Sequence, residues 1–106
     1  MRRAIILLSF LLLAGGAAGA QAQTGDAKKG RAFAEKVCAE CHAIVPDQLQ
    51  SKEPDAPSFQ AIANSPGISW IALSVVLRTP HQAMPNLVLS SEEQANVIAY
   101  ILSLKN

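Results

Sequence analysis

The sequence has little of what most binding and catalytic sites are built from. Its 106 residues include two cysteines, two histidines, two methionines and one tryptophan, and aromatic residues make up 5% of the chain. No sustained alternation of apolar and polar residues predicts a strand, and internal repeats are absent. Nine Lys and Arg are balanced by eight Asp and Glu without forming a basic patch, which excludes nucleic-acid binding. Any metal site that uses cysteine, histidine or methionine must therefore draw on very few ligands.

Residues 1–22 predict a secretory signal peptide that is removed from the mature chain. Arg2 and Arg3 precede an apolar run that extends to Leu13, and small residues with A-x-A spacing follow. An uncleaved membrane anchor is the alternative, but a spanning helix needs about 20 predominantly apolar residues. We therefore predict one small mature domain over residues 23–106, with no stable membrane insertion after cleavage.

Both cysteines lie in one string, C-A-E-C-H, at residues 38–42. This C-x-x-C-H spacing is the signature of covalent haem c attachment: Cys38 and Cys41 would form thioethers with haem, and His42 would bind the iron. A thioredoxin-like motif belongs in a βαβ unit, which this sequence lacks. A zinc site needs another ligand, and only His81 remains, at a spacing unlike that of a zinc finger. A structural disulfide would be strained across so short a loop.

Haem iron bound by one histidine has a second axial position, and few residues here can fill it. Once Met1 is removed, Met84 is the only methionine, and His81 is the only histidine outside the motif. We predict Met84 as the second ligand, because it stands in a loop rather than on an apolar helix face and Pro85 would stiffen the segment. Paired His and Met ligands are typical of electron transfer. The alternatives are that Met84 fills the core and that His81 is an exposed loop residue near the haem.

Apolar periodicity and capping residues predict three or four helices. The predicted spans are residues 27–40, 58–63, 69–78 and 90–105, with loops over residues 43–57 and 79–90. Asp26 would cap the first helix, and Ser90 with Glu93 would form a capping box for the last. Gly30 lies inside the first helix, where glycine costs about 1 kcal/mol relative to alanine. Such a glycine indicates close approach of another helix.

Three further side-chain interactions are candidates for a role at the haem. The second ring nitrogen of His42 is expected to donate to the backbone carbonyl of Ala56 or Pro57, as metal-ligating imidazoles usually do. For Trp70 the alternatives are a hydrogen bond to a haem propionate and simple packing. For Arg78 they are neutralisation of a propionate and a solvated charge at a helix end.

The order of these motifs resembles that of the class I c-type cytochromes, small monohaem proteins of bacterial periplasms. The resemblance covers nearly all of the mature chain and is carried by G-R-A-F at 30–33, C-A-E-C-H at 38–42, Met84-Pro85 and V-I-A-Y-I at 97–101. It implies an all-α cytochrome c fold, with three to five helices wrapped around one covalently attached haem. It also implies that Gly30 and Tyr100 lie where the first and last helices cross.

The function that this resemblance implies is electron transfer rather than catalysis. The iron would cycle between ferric and ferrous states with His42 and Met84 bound, and the exposed haem edge would contact a redox donor and an acceptor protein. The chain is expected to be a monomer in the periplasm. One alternative is a cytochrome subunit held in a periplasmic dehydrogenase or reductase complex. Another is a haem enzyme or gas sensor with an open iron site.

The sequence departs from the family pattern at three places. The string A-P-S-F at residues 56–59 stands where a Gly-Pro usually follows the haem motif, which leaves the partner of His42 open. Phe33 lies one residue further from Cys38 than is usual. The lysine ring of mitochondrial relatives is absent, so a strongly acidic docking partner is not indicated.

Overall fold

The computed structural model describes residues 24–48, 50–80, 84 and 87–106, and these form helices and loops without any strand. The elements are α1 (Ala27–Lys36), a 3-10 turn (Cys38–Glu40), α2 (Phe59–Ala63), α3 (Trp70–Arg78) and α4 (Ser91–Ser103). The all-α prediction is thus confirmed for the described residues. The predicted signal peptide and five residues of the segment over residues 79–90, His81 and Pro85 among them, lie outside the described residues.

The helices begin at side chains that accept hydrogen bonds from their first turns. Asp26 caps α1, Ser58 caps α2 and Ser69 caps α3. The predicted capping box of α4 is present: Ser90 N–H donates to Glu93 Oε2 at 2.8 Å, and Glu93 N–H donates to Ser90 Oγ at 3.1 Å. Each cap stabilises its helix by about 1 kcal/mol. Local sequence therefore sets where each helix starts.

The ends of α1 and α4 differ from the prediction. The regular helix α1 stops at Lys36 rather than near Glu40, because the chain tightens into the 3-10 turn that carries the first cysteine. The last helix stops at Ser103, and the N–H groups of Leu104 and Lys105 close its final turn. At both ends the chain continues in a short turn with 3-10-type hydrogen bonds, which apolar periodicity does not distinguish from an α-helix.

Close contact between α1 and α4 depends on two glycines. A Cβ on Gly30 would overlap the carbonyl oxygen of Asn96 and lie 2.9 Å from Tyr100 Cβ. Gly25, just before α1, lies against the carbonyl of Ala95 in the same manner. The expected contact of Gly30 with Tyr100 at the helix crossing is confirmed. Gly25 is a second such contact, which sequence reasoning missed.

The core lies on the inner face of α4. Its buried members come from every helix and from the segment after the C-x-x-C-H string: Ala34, Ile44, Phe59, Ala63, Leu73, Val97, Ile98, Tyr100 and Ile101. Two of them, Val97 and Ile98, are the largest side chains with almost no exposure. Because α4 supplies four members of this cluster, it is the element on which the others assemble.

Tyr100 connects α4 to the C-x-x-C-H region. Its hydroxyl donates to the carbonyl of Ile44 at 2.6 Å. Its ring centroid lies 6.2 Å from that of Phe59, which in turn lies 5.6 Å from that of His42. Burial raises the pKa of the Tyr100 phenol above its ordinary value. The Arg31 charge lowers this pKa, and the Glu35 charge raises it. The neutral phenol is therefore the form that the fold favours.

We expect Tyr100→Phe to destabilise the protein by about 1 to 2 kcal/mol at neutral pH, because the Ile44 carbonyl loses its buried donor. Because the phenol pKa is raised in the folded state, the stability that Tyr100 contributes is fully present below the pKa of the unfolded chain, about 10. It is lost as the pH rises through the higher pKa of the folded protein. Urea unfolding of both proteins at pH 7 and at increasing alkaline pH measures it. A difference that does not shrink above about pH 10 would contradict the assignment.

Candidate functional site

The C-x-x-C-H string forms a single tight turn directly after α1. The N–H groups of Cys41 and His42 both donate to the carbonyl of Cys38, at 3.1 and 2.9 Å. Cys38 and Cys41 are not joined by a disulfide, and both are half-buried. The turn thus holds two sulfur atoms and one imidazole within a short stretch of backbone.

The environment of Cys38 suits a neutral sulfur. Burial raises the pKa of the Cys38 thiol to about 11, so the unmodified thiol is protonated at neutral pH. A thioether is also uncharged, whereas zinc binds the thiolate. Among the described residues, no group of three or more His, Cys, Asp or Glu could hold a metal ion. The remaining ligand of the zinc alternative, His81, lies outside the described residues.

The His42 imidazole is oriented by the backbone. Its Nδ1 lies 2.6 Å from the carbonyl oxygen of Pro57. Since a carbonyl only accepts, Nδ1 is the protonated nitrogen, and Nε2 is left with the lone pair that an iron requires. The expected partner was the carbonyl of Ala56 or Pro57, and the structure shows that it is Pro57. The chain therefore supplies a prolyl carbonyl here without the usual Gly-Pro.

The loop that carries Pro57 is itself held against the motif by backbone hydrogen bonds. Phe59 N–H donates to the carbonyl of Ala43 at 2.8 Å, and Glu53 N–H donates to the carbonyl of Cys41 at 3.1 Å. Ser51 Oγ accepts from Ala43 N–H at 2.9 Å. These contacts fix the Pro57 carbonyl relative to His42. Ser51 was not identified from the sequence, because a serine in a polar loop carries no distinguishing signal.

Met84, Trp70 and Arg78 occupy different environments. Met84 is half-buried, and its binding to iron stays a prediction. Trp70, the first residue of α3, packs against the edge of the core. Arg78, the last residue of α3, donates from Nε to Oε1 of Gln94 at 3.1 Å, so it is not merely a solvated charge. A propionate contact for either Trp70 or Arg78 also stays a prediction.

Comparison with known proteins assigns the family. The family model described as "Cytochrome C oxidase, cbb3-type, subunit III" matches residues 25–101. The chain belongs to the class I c-type cytochromes. This cytochrome is also similar to cytochrome c-552 from Bradyrhizobium diazoefficiens, with 36% identity over 95 residues that cover 90% of each chain. No solved structure matches it.

Membership of this family means that the cytochrome carries covalently bound haem c, and the residues present fit that group. The turn at residues 38–42 offers two cysteine sulfurs and one imidazole. Nδ1 of this imidazole contacts the Pro57 carbonyl, which leaves Nε2 for the iron. Thioether attachment and imidazole ligation use these donors. No helix within the described part of the chain is long and apolar enough to cross a membrane.

Proposed function

We propose that this c-type cytochrome transfers single electrons between two redox proteins through a haem iron bound by His42 and Met84. The observation that carries the proposal is the 2.6 Å contact of His42 Nδ1 with the Pro57 carbonyl, which orients the ring and leaves Nε2 as the nitrogen available to the iron. Cys38 and Cys41 anchor the haem on the same turn. Met84 completes the pair because it is the sole methionine of the predicted mature chain.

The haem supplies the redox chemistry when it is bound. The chain contributes the anchoring thiols, an oriented imidazole and an apolar environment that excludes water. The Phe59 ring, 5.6 Å from that of His42, shields the ligand on the side of the core. None of these roles requires a side chain that gives or takes a proton, so we propose a carrier and not an enzyme.

The proposed location is the periplasm, where the mature chain of residues 23–106 would act as a monomer. The support is the export pattern of residues 1–22 together with a motif that is modified outside the cytoplasm. The donor and acceptor are proposed to be proteins that meet the haem edge.

A second candidate is a cytochrome subunit within a larger redox complex. The description of the matching family names an oxidase subunit, and α3 exposes two apolar side chains one turn apart, Ile71 at 68% and Val75 at 58%. Exposed apolar surface is typical of lasting interfaces when it is extensive. Size-exclusion chromatography of native extract separates the two candidates: a carrier elutes as a small monomer, and a subunit elutes with its complex.

Electrochemistry of protein matured with the haem-attachment machinery tests the carrier proposal. We expect a reversible one-electron wave with a Nernst slope of about 59 mV per decade. We also expect negligible turnover of hydrogen peroxide with an artificial donor. The Cys38→Ala/Cys41→Ala double variant is the haem-free control. An irreversible wave, or peroxide turnover at enzyme-like rates, would overturn the proposal.

A further inference from the structure

The segment that carries Met84 begins and ends at two helices that a side-chain hydrogen bond joins. Arg78 is the last residue of α3, and Gln94 lies in the first turn of α4. Arg78 Nε donates to Gln94 Oε1 at 3.1 Å across 16 positions of the chain. This bond therefore closes the base of the segment over residues 79–90.

The two partners of this hydrogen bond differ in burial, since Gln94 is buried and Arg78 is exposed. Gln94 is only 7% exposed, so its amide oxygen needs a partner inside the protein. Arg78 is exposed and lies at the C-terminal end of α3, where the helix dipole favours a cation. Loss of Arg78 would leave a buried acceptor without a donor, and loss of Gln94 would free the arginine into solvent.

Apolar side chains surround this hydrogen bond. A groove beside it is lined by Leu77 of α3 and by Leu87 and Leu89 of the segment. Contacts between such side chains are not directional, whereas a hydrogen bond fixes the relative position of its two partners. The Arg78–Gln94 hydrogen bond is therefore a directional connection between α3 and α4 at the base of this segment.

We propose that Arg78 and Gln94 are positioning residues that hold Met84 on the haem iron by clamping the two ends of its segment. This inference rests on the proposed ligation of iron by Met84. Fixing both ends of a segment restricts the positions that its middle can reach, so a state with Met84 off the iron gains less entropy. Without the clamp that state becomes more populated and the iron more open to added ligands.

Carbon monoxide binding to the ferrous protein and the far-red Met–iron band of the ferric protein test the clamp. In Gln94→Leu and Arg78→Ala we expect carbon monoxide to bind about tenfold faster than in the wild type, which is the scale of one hydrogen bond. The far-red band should be lost at a lower temperature. The double variant should match the single ones, and Gln94→Glu, which keeps an acceptor, should restore wild-type behaviour.

The matched control is Asn64→Ala. Asn64 Nδ2 donates to Asn106 Oδ1 at 2.8 Å, and Asn64 Oδ1 accepts from Asn106 N–H at 3.1 Å. This variant therefore also loses long-range side-chain hydrogen bonds, but ones remote in sequence from residues 79–90. Unchanged carbon monoxide binding in both clamp variants, or an equal rise in Asn64→Ala, would overturn the clamp. If Gln94→Leu fails to fold, Arg78→Ala at the exposed partner provides the same comparison. A wild-type protein that already lacks the band and binds carbon monoxide readily would instead overturn Met84 ligation itself.

Discussion

The Met84→Ala variant will bind carbon monoxide readily in the ferrous state and will lack the far-red Met–iron band in the ferric state. Its reduction potential will fall by on the order of 0.1 V or more, because a thioether ligand favours ferrous iron and axial ligands tune haem potentials widely. Haem attachment will be unaffected, since the thioethers form at Cys38 and Cys41. Visible spectra and a redox titration measure all three effects.

The matched control for Met84→Ala is His81→Ala, because both residues lie in the segment over 79–90 and are the two candidate ligands of the predicted mature chain. We expect His81→Ala to keep the far-red band, the potential and the resistance to carbon monoxide. The reverse outcome, in which His81→Ala opens the iron and Met84→Ala leaves it closed, would assign the ligand to His81 and remove the basis of the clamp.

Gly30→Ala will destabilise the holoprotein by about 3 kcal/mol, although alanine is the better helix former by about 1 kcal/mol. The added methyl group would overlap the backbone carbonyl of Asn96, which cannot rotate away as a flexible side chain could. Relief requires α1 to move off α4 and so disturbs Tyr100 and the core between them. Denaturant unfolding followed by circular dichroism measures the loss.

Gly67→Asn is the control for the loss of glycine itself. Gly67 has a φ of 75° and no atom within 4 Å of an added Cβ, so the change meets open space. Asparagine tolerates this left-handed conformation, and we expect a loss of about 1 kcal/mol or less. Equal stability losses in the two variants, or a Gly30→Ala variant that is more stable than the wild type, would contradict this prediction. Either result would show that the close approach of α1 to α4 does not require a glycine at residue 30.

Local signals made the chemistry and the helix starts predictable. The C-x-x-C-H string, the Asp26 cap and the Ser90–Glu93 capping box each depend on residues a few positions apart, and the structure contains all of them. The cost of Gly30 within a helix correctly indicated the close approach of another helix. These features need no knowledge of how distant segments meet.

The remaining features depend on contacts between distant segments, which no local pattern encodes. The choice of Pro57 over Ala56 depends on how the loop is held to the motif by Ala43 and Cys41. Gly25 precedes α1, where the sequence pattern indicates no contact, yet it lies against α4. The Arg78–Gln94 bond spans two helices and could be found only in three dimensions.

The absorption spectrum of the wild-type protein, matured in a periplasm with haem-attachment machinery, is the most direct test of iron ligation by His42 and Met84. It is recorded in the ferric and ferrous states, with and without carbon monoxide. We expect a c-type reduced spectrum, a far-red band in the ferric form and no carbon monoxide shift while the spectrum is recorded. A c-type spectrum without that band, shifted by carbon monoxide, would contradict His42/Met84 ligation and favour an open-site enzyme or sensor.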